Sequence, residues 1–239
     1  MQGTTRHDDN AGMDHAVTAD ELRIVPDNQA TWSDLEAIFG TADHPFHCQC
    51  QRFKVSGWLW RDTTSEERIE VQRSDTACGD PDPSRTSGLV AYLDDEPVGW
   101  VAVEPRVGYP KLRTLRVPWT GRHEDKDDDG IWAVTFFCVR KGYRGRGITS
   151  PLARAAAEHA REQGATAVEG SAMVTQPGVE ITWGEVHVGA VQVFEDAGCT
   201  QVSAPTKRRR VLRVDLSSEQ TGALPHREHQ SGSRTGPPR

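Results

Sequence analysis

The stretch from Ile131 to Met173 constrains the fold more than any other part of the chain. Ile131-Trp-Ala-Val-Thr-Phe-Phe-Cys-Val139 is apolar on both alternating faces and rich in β-branched and aromatic residues. Such a run reads as a central strand covered on both sides. The turn Arg140-Lys-Gly-Tyr-Arg-Gly-Arg-Gly-Ile-Thr149 follows, and then Ser150-Pro-Leu-Ala-Arg-Ala-Ala-Ala-Glu-His-Ala-Arg-Glu-Gln-Gly164 carries the signals of a helix. Ser150 is placed to cap it, Pro151 to take the first helical position, and Gly164 to end it. Thr166-Ala-Val-Glu-Gly-Ser-Ala-Met173 then reads as a second strand. A strand, loop, helix and strand in this order predict a right-handed parallel unit inside a mixed sheet.

The remaining punctuation fits one α/β domain. Leu22 to Val25 is a short strand, and the run Thr31-Trp-Ser-Asp-Leu-Glu-Ala-Ile-Phe-Gly40 places Trp32, Leu35, Ile38 and Phe39 at helical spacing, with Gly40 at its end. A charged helix is expected from Ser65 to Arg73. Ser87 to Leu93 and Val98 to Glu104 form an antiparallel hairpin around Asp94-Asp-Glu-Pro97. A helix over 188–198 and a closing strand within 208–216 complete the order. The polar ends, 1–20 and 217–239, cannot bury enough apolar surface to offset ordering entropy and are expected to be disordered. The domain is therefore drawn at 21–216.

The net charge of -7 counts against nucleic acid as the main partner. No stretch approaches the ~20 consecutive apolar residues of a membrane helix, and the N-terminus lacks the pattern of a signal peptide, so the chain is placed in the cytoplasm. Five cysteines, at 48, 50, 78, 138 and 199, fit free thiols in a reducing compartment.

The glycine-rich turn carries the chemistry. Its backbone N–H groups can converge, the helix behind it adds a positive dipole end, and Arg140, Lys141, Arg144 and Arg146 surround it. That is an anion cradle suited to a pyrophosphate; the bland alternative is a tight turn that happens to be basic. The spacing of Gly142, Gly145 and Gly147 fits neither a P-loop nor the dinucleotide-binding G-x-G-x-x-G.

On these residues the sequence resembles the GCN5-related N-acetyltransferase (GNAT) family, whose motif of Arg or Gln, two residues, Gly, one residue, Gly or Ala is similar to Arg144-Gly145-Arg146-Gly147-Ile148-Thr149, with Thr149 departing at the last position. The resemblance covers about residues 85 to 216 and extends to a later-helix pattern at His187, Ala190, Phe194, Gly198 and Cys199. It implies a mixed, mostly antiparallel sheet, splayed at the cofactor and flanked by helices, with acetyl-CoA as co-substrate. It also implies that the segment Phe137-Cys138-Val139 meets the pantetheine arm through backbone groups of Phe137 and Val139. Arg144, Gly145, Arg146, Gly147, Ile148 and Thr149 would hold the pyrophosphate, and His187 and Phe194 would border the cofactor. The expected activity is direct transfer of an acetyl group to a primary amine of a small molecule or peptide, in a protein that could pair as a homodimer. The rival readings are a non-catalytic acyl-CoA-binding domain and a nucleic-acid-binding module using the two basic runs.

Transfer needs a deprotonated amine and a proton for the departing thiolate. Glu104 and Glu169, on strands near the expected split, are the candidate bases; each also reads as an ion-paired strand-end residue. Many relatives protonate the thiolate with a tyrosine where this chain has Phe194, which carries no acidic hydrogen. His187 is expected to cap the later helix or touch the cofactor. Cys138 reads as an inert buried thiol. The cluster His44, His47, Cys48, Cys50 has the wrong spacing for zinc, and the loop from Asp125 lacks the final glutamate of a calcium loop, so no metal is expected. The segment from His44 to Trp60, with Phe46, Phe53, Trp58 and Trp60, reads as a partly apolar wall of the acceptor pocket or as core. Lys207 to Arg210 reads as charge exposed on a strand edge.

Overall fold

The computed structural model describes residues 16–55, 59–80, 82, 86–176 and 187–216. The elements in chain order are β1 (Leu22–Pro26), α1 (Trp32–Phe39), α2 (Asp43–Cys48), α3 (Leu59–Asp62), α4 (Ser65–Thr76), β2 (Gly88–Leu93), β3 (Glu96–Pro105), α5 (Pro110–Thr114), β4 (Ile131–Val139), α6 (Thr149–Glu162), β5 (Ala167–Met173), α7 (Val191–Glu195), β6 (Thr200–Thr206) and β7 (Arg209–Asp215). The seven strands form one sheet in the order β1-β2-β3-β4-β5-β7-β6. Among the strands of the described residues only β4 and β5 run parallel to each other; every other strand pairing is antiparallel. This is the mixed, mostly antiparallel α/β architecture that the sequence implies.

Alternation puts a core on each face. Leu89, Val101, Val134, Phe137, Val168 and Leu212 pack with Ile148, Leu152 and Ala156 of the α6 side and Phe194 of α7. Val90, Trp100, Phe136 and Cys138 turn the other way, against Leu35, Ile38 and Phe39 of α1. Further along that second face, Ala133 meets Tyr109 and Leu112. Helix α6 lies close to the sheet because alanines face it and because Gly99 leaves room: a Cβ there would sit 3.1 Å from Ile148 Cγ2 and Leu152 Cδ1.

The local signals explain most boundaries. Thr31 and Thr64 accept from Asp34 and Glu67 N–H groups and so cap α1 and α4 in reciprocal capping boxes. Asp94 and Asp95 take positive φ values of 49° and 64°, as a tight two-residue hairpin turn requires. Buried Asp27 ties β1 to the hairpin: its carboxyl accepts from Thr86 Oγ1, Ser87 N, Ser87 Oγ and Trp100 Nε1. Upstream of Leu22, Val17 is buried and its N–H donates to the Arg146 carbonyl at 2.8 Å.

Several expectations are corrected. Helix α6 starts at Thr149, with Ile148 as its N-cap residue and no side-chain cap; Pro151 is the third helical residue, and Ser150 Oγ donates instead to Asp196. The later helix is confined to Val191–Glu195 because residues 187–190 are recruited to bridge the sheet. Lys207 and Arg208 form the turn of the β6–β7 hairpin, and β7 is interior, so the basic run does not line an edge; β6 is the edge strand. The N-terminal residues 1–15, Trp58 and the tail 217–239 lie outside the described residues.

Candidate active site

The sheet opens where the site forms. β4 and β5 pair only from Ile131↔Ala167 to Val134↔Gly170. On the other side of β4 the register with β3 shifts so that Val103 faces Val134 and Ala102 faces Phe136, leaving Thr135 as an extra residue. A bulge of this kind bends its strand, and beyond it β4 and β5 part. Residues 187–189 span the gap: Phe137 N donates to His187 O at 2.7 Å, and Met173 N donates to Gly189 O at 2.9 Å. The Phe137 N–H, expected to meet pantetheine, is thus already engaged. Val139, two residues on, turns its backbone the same way, and its carbonyl accepts from Arg144 Nε at 3.1 Å.

A cleft of about 170 Å³ lies over the gap, lined by Phe137, Val139, Arg144, Gly145, Thr149, His187, Gly189, Ala190 and Val193. Six sequence-predicted residues therefore meet in one place. The turn beside it needs its glycines, since Gly142, Gly145 and Gly147 take φ values of 95°, 76° and 81°. With no side-chain cap on α6, its first N–H groups and the helix dipole are left to an anion. Arg146 is buried, with its guanidinium 5.6 Å from the Tyr143 ring, so it shapes the turn rather than lining the cleft. Ile148 is core. Gly147 does not line the cleft; its nearest neighbour for a Cβ is the Val17 carbonyl at 3.9 Å.

Two expected cofactor contacts are displaced. Cys138 points to the α1 face, where its Sγ lies 3.9 Å from Ile38 O, and burial pushes its thiol up to about 12. Phe194 is buried edge-on against Phe137, 5.9 Å between centroids, and covers Gly170 so closely that a Cβ there would lie 2.2 Å from its ring. It seals the base of the gap and supplies no proton.

On the opposite face, a pocket of about 260 Å³ is lined by Phe53, Leu112, Leu115, Val117, Pro118 and Val188, together with Arg52, Lys111, Ser171, His187 and Arg209. A small cavity at the end of the β4–β5 pairing adjoins it, sharing Phe53, Leu112, Pro118, Ser171 and Val188 and adding Thr135, Glu169 and Gly170. His187 lines both larger clefts. The two spaces open on opposite faces of the sheet and meet at its gap. Of the segment expected to wall an acceptor pocket, Phe53 does so; Cys48 and Cys50 are core, and Phe46 is exposed.

The two glutamates separate. Glu169 accepts from Arg106 Nη1 at 3.0 Å through Oε1 and from Arg122 Nη2 at 2.6 Å through Oε2, with all three side chains buried. Each oxygen is held by a separate guanidinium group, so Glu169 reads as a strut between two arginines. Glu104 faces Ala133 across β3 and β4 and therefore lies on the pocket's side of the sheet. Burial pushes its carboxyl up, while the ion pair to Lys54, with Nζ 2.7 Å from Oε2, acts in the other direction. Tyr109 sits beside it, its hydroxyl pushed well above the ordinary tyrosine range by burial and then by the Glu104 charge. Arg52, Lys111, Thr135 and Ser171 are site residues that sequence reasoning missed. Only the break in alternation around Thr135 could have signalled one of them.

Among the described residues no group of three or more His, Cys, Asp or Glu side chains could hold a metal, and no helix is long and apolar enough to cross a membrane.

Comparison with known proteins bears on the site. No curated protein matches the chain. Among solved structures, it is similar to an N-acetyltransferase from Staphylococcus aureus Mu50 (14% identity, 82% of this chain and 99% of the other, TM-score 0.47). It is also similar to a GCN5-related N-acetyltransferase from Kribbella flavida (16%, 83% and 100%, 0.49). A third likeness is to yncA, a putative acetyltransferase from Salmonella typhimurium with its cofactor acetyl-CoA (14%, 84% and 97%, 0.45). The model of the acetyltransferase (GNAT) family matches residues 52–176, more than half of the chain and the whole of the strand, glycine-rich turn, helix and strand around the gap. The protein belongs to the GNAT acetyltransferase family.

Proposed function

We propose that the protein takes the acetyl group of acetyl-CoA and passes it directly to a primary amine. The observation that carries this reading is the pair of clefts meeting at the gap between β4 and β5. A donor entering over the glycine-rich turn would rest its pyrophosphate on the uncapped end of α6, with Arg144 and Gly145 beside it, and send its thioester toward the gap. An amine in the opposite pocket would approach the same gap from behind. Holding both reactants there replaces an encounter in water with an oriented contact.

The base in this reading is Glu104. It lies on the acceptor's side of the sheet, and burial raises it toward the pKa at which a carboxylate removes protons well at neutral pH. The proton would reach it through solvent in the pocket, since Glu104 does not itself line the cavity. Titration with acetyl-CoA, desulfo-CoA and ATP, followed by thiol release on an amine panel, tests the whole. Acetyl-CoA should bind and ATP should not. Glu104→Gln should lower kcat by about a hundredfold with donor affinity unchanged, as expected for loss of a general base. Donor binding without turnover of any amine would reduce the protein to an acyl-CoA-binding module.

A further inference from the structure

The acceptor-side pocket has a charge pattern unlike that of the chain. The protein carries a net charge of -7, yet Arg52, Lys111 and Arg209 all line this one cavity, and no aspartate or glutamate does so among the described residues. The cations come from three separate parts of the fold: Arg52 from the segment after α2, Lys111 from α5 and Arg209 from the start of β7. Arg52 is exposed, with its guanidinium 5.3 Å from the Trp60 ring, and Arg209 Nη1 donates to the Ser171 carbonyl at 3.4 Å. The other walls, from Phe53, Leu112, Leu115, Val117, Pro118 and Val188, are apolar.

Like charges converge on one another only at a cost unless an anion joins them. We propose that this pocket selects an acceptor amine carrying an oxyacid group on a small apolar body, a carboxylate in the manner of a free apolar amino acid, with Arg52 and Lys111 reading the anion and the apolar wall reading the side chain. The inference rests on the acetyltransferase reading above and names the substrate class for that site. Burial and the nearby Arg52 charge both lower the Lys111 ammonium, which accords with the two cations lining one cavity. A volume of about 260 Å³ suits a small molecule of this kind. A polyamine or aminoglycoside would bring positive charge into a cationic cavity and is disfavoured by the same electrostatics.

The test is steady-state thiol release from acetyl-CoA with leucine, methionine and phenylalanine, their carboxamides, their aminophosphonate analogues and spermidine. Donor affinity is measured separately by titration. The expected result is kcat/KM higher for the acids than for the amides by about tenfold or more, the scale of one lost charge-assisted hydrogen bond. Arg52→Gln/Lys111→Gln should erase that preference, mainly through KM, with donor affinity unchanged, and Lys111→Arg should keep it. Preference for the phosphonates would keep the oxyacid assignment and change its source. Equal or better turnover of amides or spermidine, or no turnover of any of these amines while acetyl-CoA still binds, would overturn the inference alone. Failure to bind acetyl-CoA would overturn it together with the reading on which it rests.

Discussion

At the scale of single residues, the glycine-rich turn was legible because its constraint is local. Positive φ at Gly142, Gly145 and Gly147 follows from the backbone itself, and glycine is the residue that adopts it without strain. Gly145 also lines the cleft over the gap, the proposed donor site, with open space where a side chain would begin. Gly145→Glu should therefore place a carboxylate among the oxygens of the donor's pyrophosphate and weaken acetyl-CoA binding by roughly a hundredfold or more, with like-charge repulsion adding to backbone strain. Calorimetric titration of the folded variant checks this, and unchanged affinity would remove the turn from the donor site. The roles of Glu169 and Glu104 were not legible. The partners of Glu169 lie 63 and 47 positions away in sequence, and Lys54, the partner of Glu104, lies 50 positions away.

At the scale of elements, alternation found the strands that bury both faces and missed β6, whose residues are nearly all exposed and carry no such pattern. The later helix was overextended for a physical reason: residues 187–190 satisfy their backbone groups by bridging β4 and β5, and that tertiary demand overrides their helical spacing. The packing of α7 on β5 gives a sharp test. Phe194 occupies the space above Gly170, so Gly170→Ala should overpack the contact and destabilise the fold by about 1–3 kcal/mol. Pairing it with Phe194→Leu should recover part of the loss. Urea denaturation of the two single variants and the double variant reads the coupling; additive effects would mean that the two residues do not meet.

For the whole molecule, burial pushes the Asp27 carboxyl from 3.8 to about 7, against four hydrogen bonds that favour its ionised form. Between those values the folded state binds more protons than the unfolded chain. Stability from this group is therefore full below pH 3.8 and is lost as pH rises through 7, amounting to about 4 kcal/mol over the window. Melts at constant ionic strength between pH 5 and 8 should show a falling contribution that Asp27→Asn flattens, even though the variant is less stable overall. The opposed openings of the two clefts carry a kinetic consequence as well. In the proposed reading donor and acceptor have separate doors, so neither must leave before the other arrives, and the lone thiol of β4, Cys138, is packed against α1 and lines neither cleft. Initial-velocity plots against either substrate should intersect, as for a ternary complex; parallel lines would require a covalent acetyl relay on a nucleophile elsewhere. Coenzyme A should inhibit competitively against the donor alone, because the exit it would block is not the one through which the acetylated product departs.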